Sequence, residues 1–189
     1  MRPTVSLLKT NRSKNLLSRL KTVVEQAVYV GIPSTTADQR STTLREMADD
    51  EDNAYRKKSL LEKAGVNQVN NAELLFIFSK GSPLNHQPAR EVIEPAIKAE
   101  GNKEAIAHEI AEATRAKLAG DNAEATIRLK RAGIAGVNAS KGWFKDPRNN
   151  WAPNAPRTVL AKGSDQPGID TSGMINAITY VVDKEGSHE

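Results

Sequence analysis

The sequence predicts an α+β fold: a small, mostly antiparallel sheet packed against two or three helices, with long irregular arms or loops. Three observations lead there. Apolar residues recur at helical spacing through the middle of the chain, two short β-branched runs stand near its ends, and two long polar or Pro-rich stretches carry no period. The 189 residues suit a single domain spanning 1–189, with enough length to bury a core without covalent staples. Aromatic residues make up only 4% of the chain, so much of the packing falls to small side chains between helices.

The elements follow in order. Leu16, Leu17, Leu20, Val23, Val24 and Ala27 form one apolar stripe, predicting a helix from about residue 5 or 13 to 26 with a basic opposite face. No aromatic residue anchors that stripe, which favours core packing over a membrane surface. Ala27-Val28-Tyr29-Val30-Gly31-Ile32-Pro33 reads as a short strand ended by its proline.

Residues 34–70 are polar and charged, and predict an extended arm or insertion that orders against neighbours. Within them, Asp49-Asp50-Glu51-Asp52 lacks the alternating ligands and the glycine of a calcium loop, so it reads as a solvated turn. A short helix is expected over residues 54–64, capped by Gly65.

Leu74-Leu75-Phe76-Ile77-Phe78 is a compact apolar run stopped by Gly81-Ser82-Pro83. It reads as a buried strand or as the end of a buried helix. The next helix is expected from Pro88 and Arg90 onward. Its stripe is Ile93, Ile97, Ile106, Ile110 and Ala113, with an interruption near Gly101-Asn102 and a stop at Gly120. Asp121 followed by Glu124 resembles a capping box that opens a further helix. That helix carries Ala123, Ile127, Lys130, Ile134 and Val137 on one stripe, and ends before Gly142. The two helices are expected to form an antiparallel pair.

Residues 142–170 form a long loop holding both tryptophans of the chain and several prolines. Trp143, Phe144 and Trp151 are expected to pack on the body or on a neighbouring subunit, with stacking on bases as the sharper reading beside Lys141, Lys145 and Arg148. Asp170-Thr171-Ser172-Gly173 reads as a cap or turn, and residues 175–182 as a final strand with both faces partly covered.

Charge and composition bound the function. Net charge is +4 and the pI is about 9.3, which permits nucleic-acid contact without requiring it. Arg2, Lys9, Arg12, Lys14, Arg19 and Lys21 precede the first acid, Glu25, and a second basic zone spans Lys130, Arg131, Lys141, Lys145 and Arg148. The absence of cysteine excludes disulfides and thiolate metal sites. No apolar run reaches membrane-spanning length, and the expectation is a soluble protein made in the cytoplasm. His86, His108 and His188 have no metal-ligand spacing, and no phosphate loop or nucleophile elbow is present. Asp146, Asp165 and Asp170 would form a carboxylate set only if folding happened to assemble them. The expectation is therefore a protein without enzymatic activity or cofactor.

Several stretches, in order, resemble the tail-completion or neck proteins of long-tailed bacteriophages, the virion morphogenesis proteins. They are Tyr29-Val30-Gly31-Ile32-Pro33; Asn71-Ala72-Glu73-Leu74-Leu75-Phe76-Ile77 with Gly81-Ser82-Pro83 and Pro88-Ala89-Arg90; Ala132-Gly133 through Trp143-Phe144-x-Asp146-Pro147; Trp151-Ala152-Pro153-Asn154; Lys162-Gly163-Ser164-Asp165 to Ile169-Asp170-Thr171; and Ile178-Thr179-Tyr180-Val181-Val182. Together they span most of the chain. The sequence departs from the family's pattern at Phe78-Ser79-Lys80, at Glu91-Val92 and at Ser172.

The resemblance implies a structural virion protein of the neck or tail end, made in the host cytoplasm, that joins or completes the head–tail connection. It implies a homo-oligomeric ring of six or a multiple of six around the DNA channel. Neck, connector and tail terminator or tail tube proteins would adjoin it, with non-specific proximity to genomic DNA and no membrane. On that basis Trp143, Phe144, Trp151, Arg148 and Arg90 are the candidate subunit or partner interface. Lys9, Arg12, Lys14 and Arg19 are the candidate DNA-channel contacts. The alternative reading is a small basic nucleic-acid-binding protein; a hydrolase built on the three aspartates is a third.

Overall fold

A computed structural model of the chain describes residue 18 and residues 26–37, 40–66 and 69–184. The candidate DNA-channel residues Lys9, Arg12, Lys14 and Arg19, and most of the expected first helix, lie outside the described residues.

The fold combines helices with one small antiparallel sheet, and helices dominate. Strand β1 (Gln26–Gly31) pairs with β2 (Thr179–Lys184), in a register running from Gln26 opposite Lys184 to Gly31 opposite Thr179. Between them come α1 (Ser34–Ala37), α2 (Arg40–Asp49), α3 (Ala54–Val66), α4 (Asn71–Lys80), α5 (Ile93–Lys98), α6 (Asn102–Ala119), α7 (Asn122–Trp143), α8 (Pro156–Lys162) and α9 (Gly173–Ala177). Single 3-10 turns stand at Pro83–Asn85 and Pro147–Asn149. Among the described residues the sheet has two strands, and there are more helices than the two or three expected.

Helix α7 is the scaffold. It packs along α6, and both strands and α5 lie against it. Its buried face is Ala125, Leu129, Ala132, Gly133, Gly136, Ser140 and Trp143. The strand ribbon needs the two glycines. A Cβ at Gly133 would run into the Tyr180 ring, and one at Gly136 would sit 2.8 Å from Val30 Cγ2. Small residues thus let sheet and helix approach closely. This corrects the expected stripe of α7: Ile127 and Ile134 are exposed, while the core face is built from Ala, Gly, Ser, one Leu and the terminal Trp143. The ends follow local rules. Gly120 closes α6 in the left-handed conformation, and the Asp121 carboxylate accepts the Glu124 N–H at 2.9 Å to open α7.

The apolar run at residues 74–78 takes the helical one of its two readings, as α4. A reciprocal cap starts it: Asn70 Oδ1 accepts from the Glu73 N–H and Glu73 Oε2 accepts from the Asn70 N–H, both at 2.9 Å. Leu75 and Phe78 enter the main core with Val92, Phe144, Met174 and Ile178, and Val30, Ile32, Leu74, Ile93, Trp151, Ile169 and Ile175 pack around it.

Three further differences have local causes. Residues 34–70 are helical over α1, α2 and α3 rather than extended, because Leu44, Ala48, Leu60 and Ala64 bury one another, with Met47, in a hairpin core of their own. Helix α3 runs through Gly65 instead of being capped by it. The expected strand from residue 175 begins only at Thr179: Gly173–Ala177 forms one helical turn after Ser172, which takes the left-handed conformation at φ 60°.

Candidate interaction groove

The residues expected to form a partner interface are mostly spent inside the fold. Phe144 is 1% exposed. Its ring stacks with Phe78 at 5.8 Å and meets Trp151 edge-on at 5.5 Å, while Phe78 meets Trp151 at 5.3 Å. This aromatic cluster binds α4, the end of α7 and the following loop together. Trp143 is buried in the last turn of α7. Arg90 is buried too: Nε and Nη2 donate to the Ala152 carbonyl, and Nη2 also donates to Pro153 O at 3.3 Å. Burial lowers its pKa from the usual arginine value. Trp143, Phe144 and Arg90 therefore have almost no surface left for a partner, which corrects their assignment as interface residues. Trp151 is half-buried against the core. Arg148 is exposed, lies over the Trp143 ring at 5.7 Å and pairs with Asp146 at 2.6 Å.

The concave surface lies elsewhere, where the α2–α3 hairpin meets α4, α8 and the loop before α9. Two depressions of about 260 and 630 Å³ share Arg40, Lys63, Leu74, Gly168, Asp170 and Met174. A third, of about 220 Å³, shares Lys63 and Asp170 with both and continues along α3 past Arg56 and Tyr55. The three form one groove.

Its floor is cationic around a single acid. Lys63 Nζ lies 2.6 Å from Asp170 Oδ2. Arg40 enters from the first turn of α2 and donates Nη1 to Val69 O at 3.2 Å. Lys162 ends α8 and donates Nζ to Ile169 O at 2.7 Å and to Gln166 O. Arg90 lines the wider depression beside His86. Burial lowers the pKa of Arg40, and the negative charge of Asp170 opposes that. Burial likewise lowers Lys162; Asp170 and Asp165 pull it back up, and Arg90 and Lys63 push it down. Asn71 adds a polar atom in need of company: it is 4% exposed, lines the 260 Å³ depression, and its Oδ1 has no hydrogen-bond partner among the described residues.

The rim is apolar. The most exposed large hydrophobic side chains described are Leu84 at 94%, Leu160 at 86% and Tyr55 at 79%. Tyr55 and Leu160 line the arm along α3; Leu84 precedes in sequence Asn85 and His86, which line the wider depression. The groove thus combines charged groups on its floor with exposed apolar side chains at its edge.

Of the three aspartates, Asp146 is bound to Arg148 and Asp170 to Lys63, so neither offers a free carboxylate. Among the described residues no group of three or more His, Cys, Asp or Glu side chains is placed to hold a metal ion, and no helix is long and apolar enough to cross a membrane. Sequence reasoning missed Arg40, Lys63 and Lys162, whose only signal was a basic residue at a helix end. No protein-family model, curated protein or solved structure matches the chain.

Proposed function

We propose that the protein is a structural component of a bacteriophage neck or tail end, one subunit of a homo-oligomeric ring that joins or completes the head–tail connection around the DNA channel. The observation that carries this reading is where the family-like stretches meet. Val30 and Ile32, Leu75, Phe144, Trp151, Ile169 and Ile178 come from separate stretches and pack in one core. Those stretches thus supply the residues that hold the body together. The surface feature on that body is a docking groove with a cationic floor and an apolar rim, which suits a subunit that must grip a neighbour. Ring subunits meet head to tail through two different surfaces, one of which needs such a concavity. Electron microscopy of intact virions tests the proposal. Density for this chain in a ring between the head vertex and the tail tube is the expected result. Its absence from particles overturns the reading.

A second reading, a small basic nucleic-acid-binding protein, draws on the same cationic floor. It predicts that the isolated chain binds duplex or single-stranded DNA with an affinity falling steeply as salt rises.

A further inference from the structure

We propose that the groove receives the acidic tip of the α2–α3 hairpin from a second copy of the chain. This rests on the assembly reading above and adds which two surfaces meet.

The hairpin is charge-polarised. Its base presents Arg40 and Lys63 to the groove. Its tip is Asp49-Asp50-Glu51-Asp52, the longest acidic run in the sequence. Glu51 there has a cation, Arg56, whose Nε lies 3.0 Å away. Asp49, Asp50 and Asp52 are exposed and have no ion-pair partner among the described residues. The groove, for its part, is lined by Arg40, Lys63 and Lys162, with Asp170 as its one lining acid among the described residues. The acidic tip and two of the groove's cations, Arg40 and Lys63, thus sit at opposite ends of one hairpin.

They cannot satisfy each other within a chain. The length of α2 separates Arg40 from Asp49, about 14 Å at about 1.5 Å per residue. The hairpin's own core, Leu44 and Ala48 against Leu60 and Ala64, keeps it from folding back. Between chains the match is direct. An acidic tip entering the groove brings carboxylates to Arg40, Lys63 and Lys162, and Tyr55 and Leu160 at its edge supply the apolar contact that a free anion would not use. Those exposed side chains favour a protein segment over a phosphate or a nucleic-acid backbone. Tip and groove are different surfaces, so the contact is head to tail and propagates from copy to copy, giving a ring where its rotation closes.

The test uses the full-length chain. Asp49→Lys, Asp50→Lys and Asp52→Lys together reverse the tip, sparing Glu51, and all three sites are exposed, so folding is retained. Lys162→Glu weakens the groove, with circular dichroism checking its fold. Sedimentation velocity over a range of concentration at low and high salt reads association. Wild type is expected to self-associate at low salt and dissociate as salt rises. Tip reversal is expected to raise the apparent dissociation constant by about tenfold or more. An equimolar mixture of the tip-reversed and Lys162→Glu chains is expected to stop at pairs, because each retains only one working surface. A synthetic peptide of residues 47–54, titrated against the tip-reversed chain, gives an independent readout. It is expected to bind, and a charge-reversed peptide is not.

Wild-type assembly unchanged by tip reversal overturns the inference and leaves the ring reading standing on another surface. A wild-type chain that stays monomeric at every concentration, binds no peptide and is absent from virions overturns both. Protection of Lys63 and Lys162 from chemical labelling by DNA, without protection by the peptide, overturns the inference in favour of the nucleic-acid reading.

Discussion

Arg90 and Ala152, distant in sequence, are held together by a forked contact in which Nε and Nη2 both donate to one carbonyl, at 3.3 and 2.9 Å. The same guanidinium lies 5.7 Å from the Phe78 ring centroid, and the Arg90 backbone N–H donates to Phe78 O at 3.1 Å. One residue thus ties α4 to the loop that carries Trp151. Arg90→Met keeps the stem but orphans the carbonyls of Ala152 and Pro153. It is expected to destabilise the fold by about 2–4 kcal/mol, since hydrogen bonds from charged groups are the strong ones and unmet buried acceptors add to the loss. Urea denaturation followed by tryptophan fluorescence measures it.

Gly133 and Tyr180 make the opposite kind of pair, a fit with no room. Gly133→Ala improves helix propensity by about 1 kcal/mol, yet its Cβ would overlap the Tyr180 ring. Net destabilisation of about 1–3 kcal/mol is expected from the overpacking. Combining it with Tyr180→Ala should give a double mutant less destabilised than the sum of the singles, because the clash is gone. Additive losses would show that the ring moves aside freely.

The two faces of α7 should respond unequally. Leu129→Ala removes a buried side chain and should cost about 2–4 kcal/mol. Ile127→Ser and Ile134→Ser lie on the exposed face and should each change stability by about 0.5 kcal/mol or less. Comparable losses at all three positions would return the core face to the isoleucine stripe.

Asp146 offers a pH test. The Arg148 side chain and its backbone N–H both donate to the carboxylate and hold its pKa below the usual 3.8, with the side-chain bond the larger cause. A carboxyl depressed in the folded state adds stability that is present above about 3.8 and lost as pH falls through the folded value. Arg148→Ala should move the Asp146 midpoint up toward 3.8, and the acid-side loss should begin at higher pH. Carbon-detected NMR titration of the Asp146 carboxyl reads the shift directly; an unchanged midpoint would show that the backbone bond alone sets it.

The parts governed by neighbours in sequence were legible in it. Pro33 ends β1, Gly120 and Asp121 mark the break between α6 and α7, and the interruption near Gly101 falls between α5 and α6. The failures arise where tertiary contact decides. Ile127 and Ile134 drew the stripe of α7 to the wrong side because the buried face is made of small residues, whose value lies in the close approach of β1 and β2 and not in their own hydrophobicity. One helical turn over Gly173–Ala177 is too short to show a period. The aromatic residues at positions 143, 144 and 151 announced burial correctly, but sequence could not say whether the body or a neighbour would bury them. The groove was invisible because its floor gathers residues 40, 63, 90, 162 and 170 from five separate segments.

The pairing of Gln26 with Lys184 bears on how the chain is made. The hairpins α2–α3 and α6–α7 join neighbours in sequence and can close while synthesis continues. Strand β1 emerges from the ribosome early and must wait for β2, which emerges after every helix between them. Until then β1 carries an unpaired edge, and the small-residue face of α7 stays bare. The ribbon is thus a late closure on a preformed helical body. A nascent chain stalled before Thr179 would hold helices but no sheet.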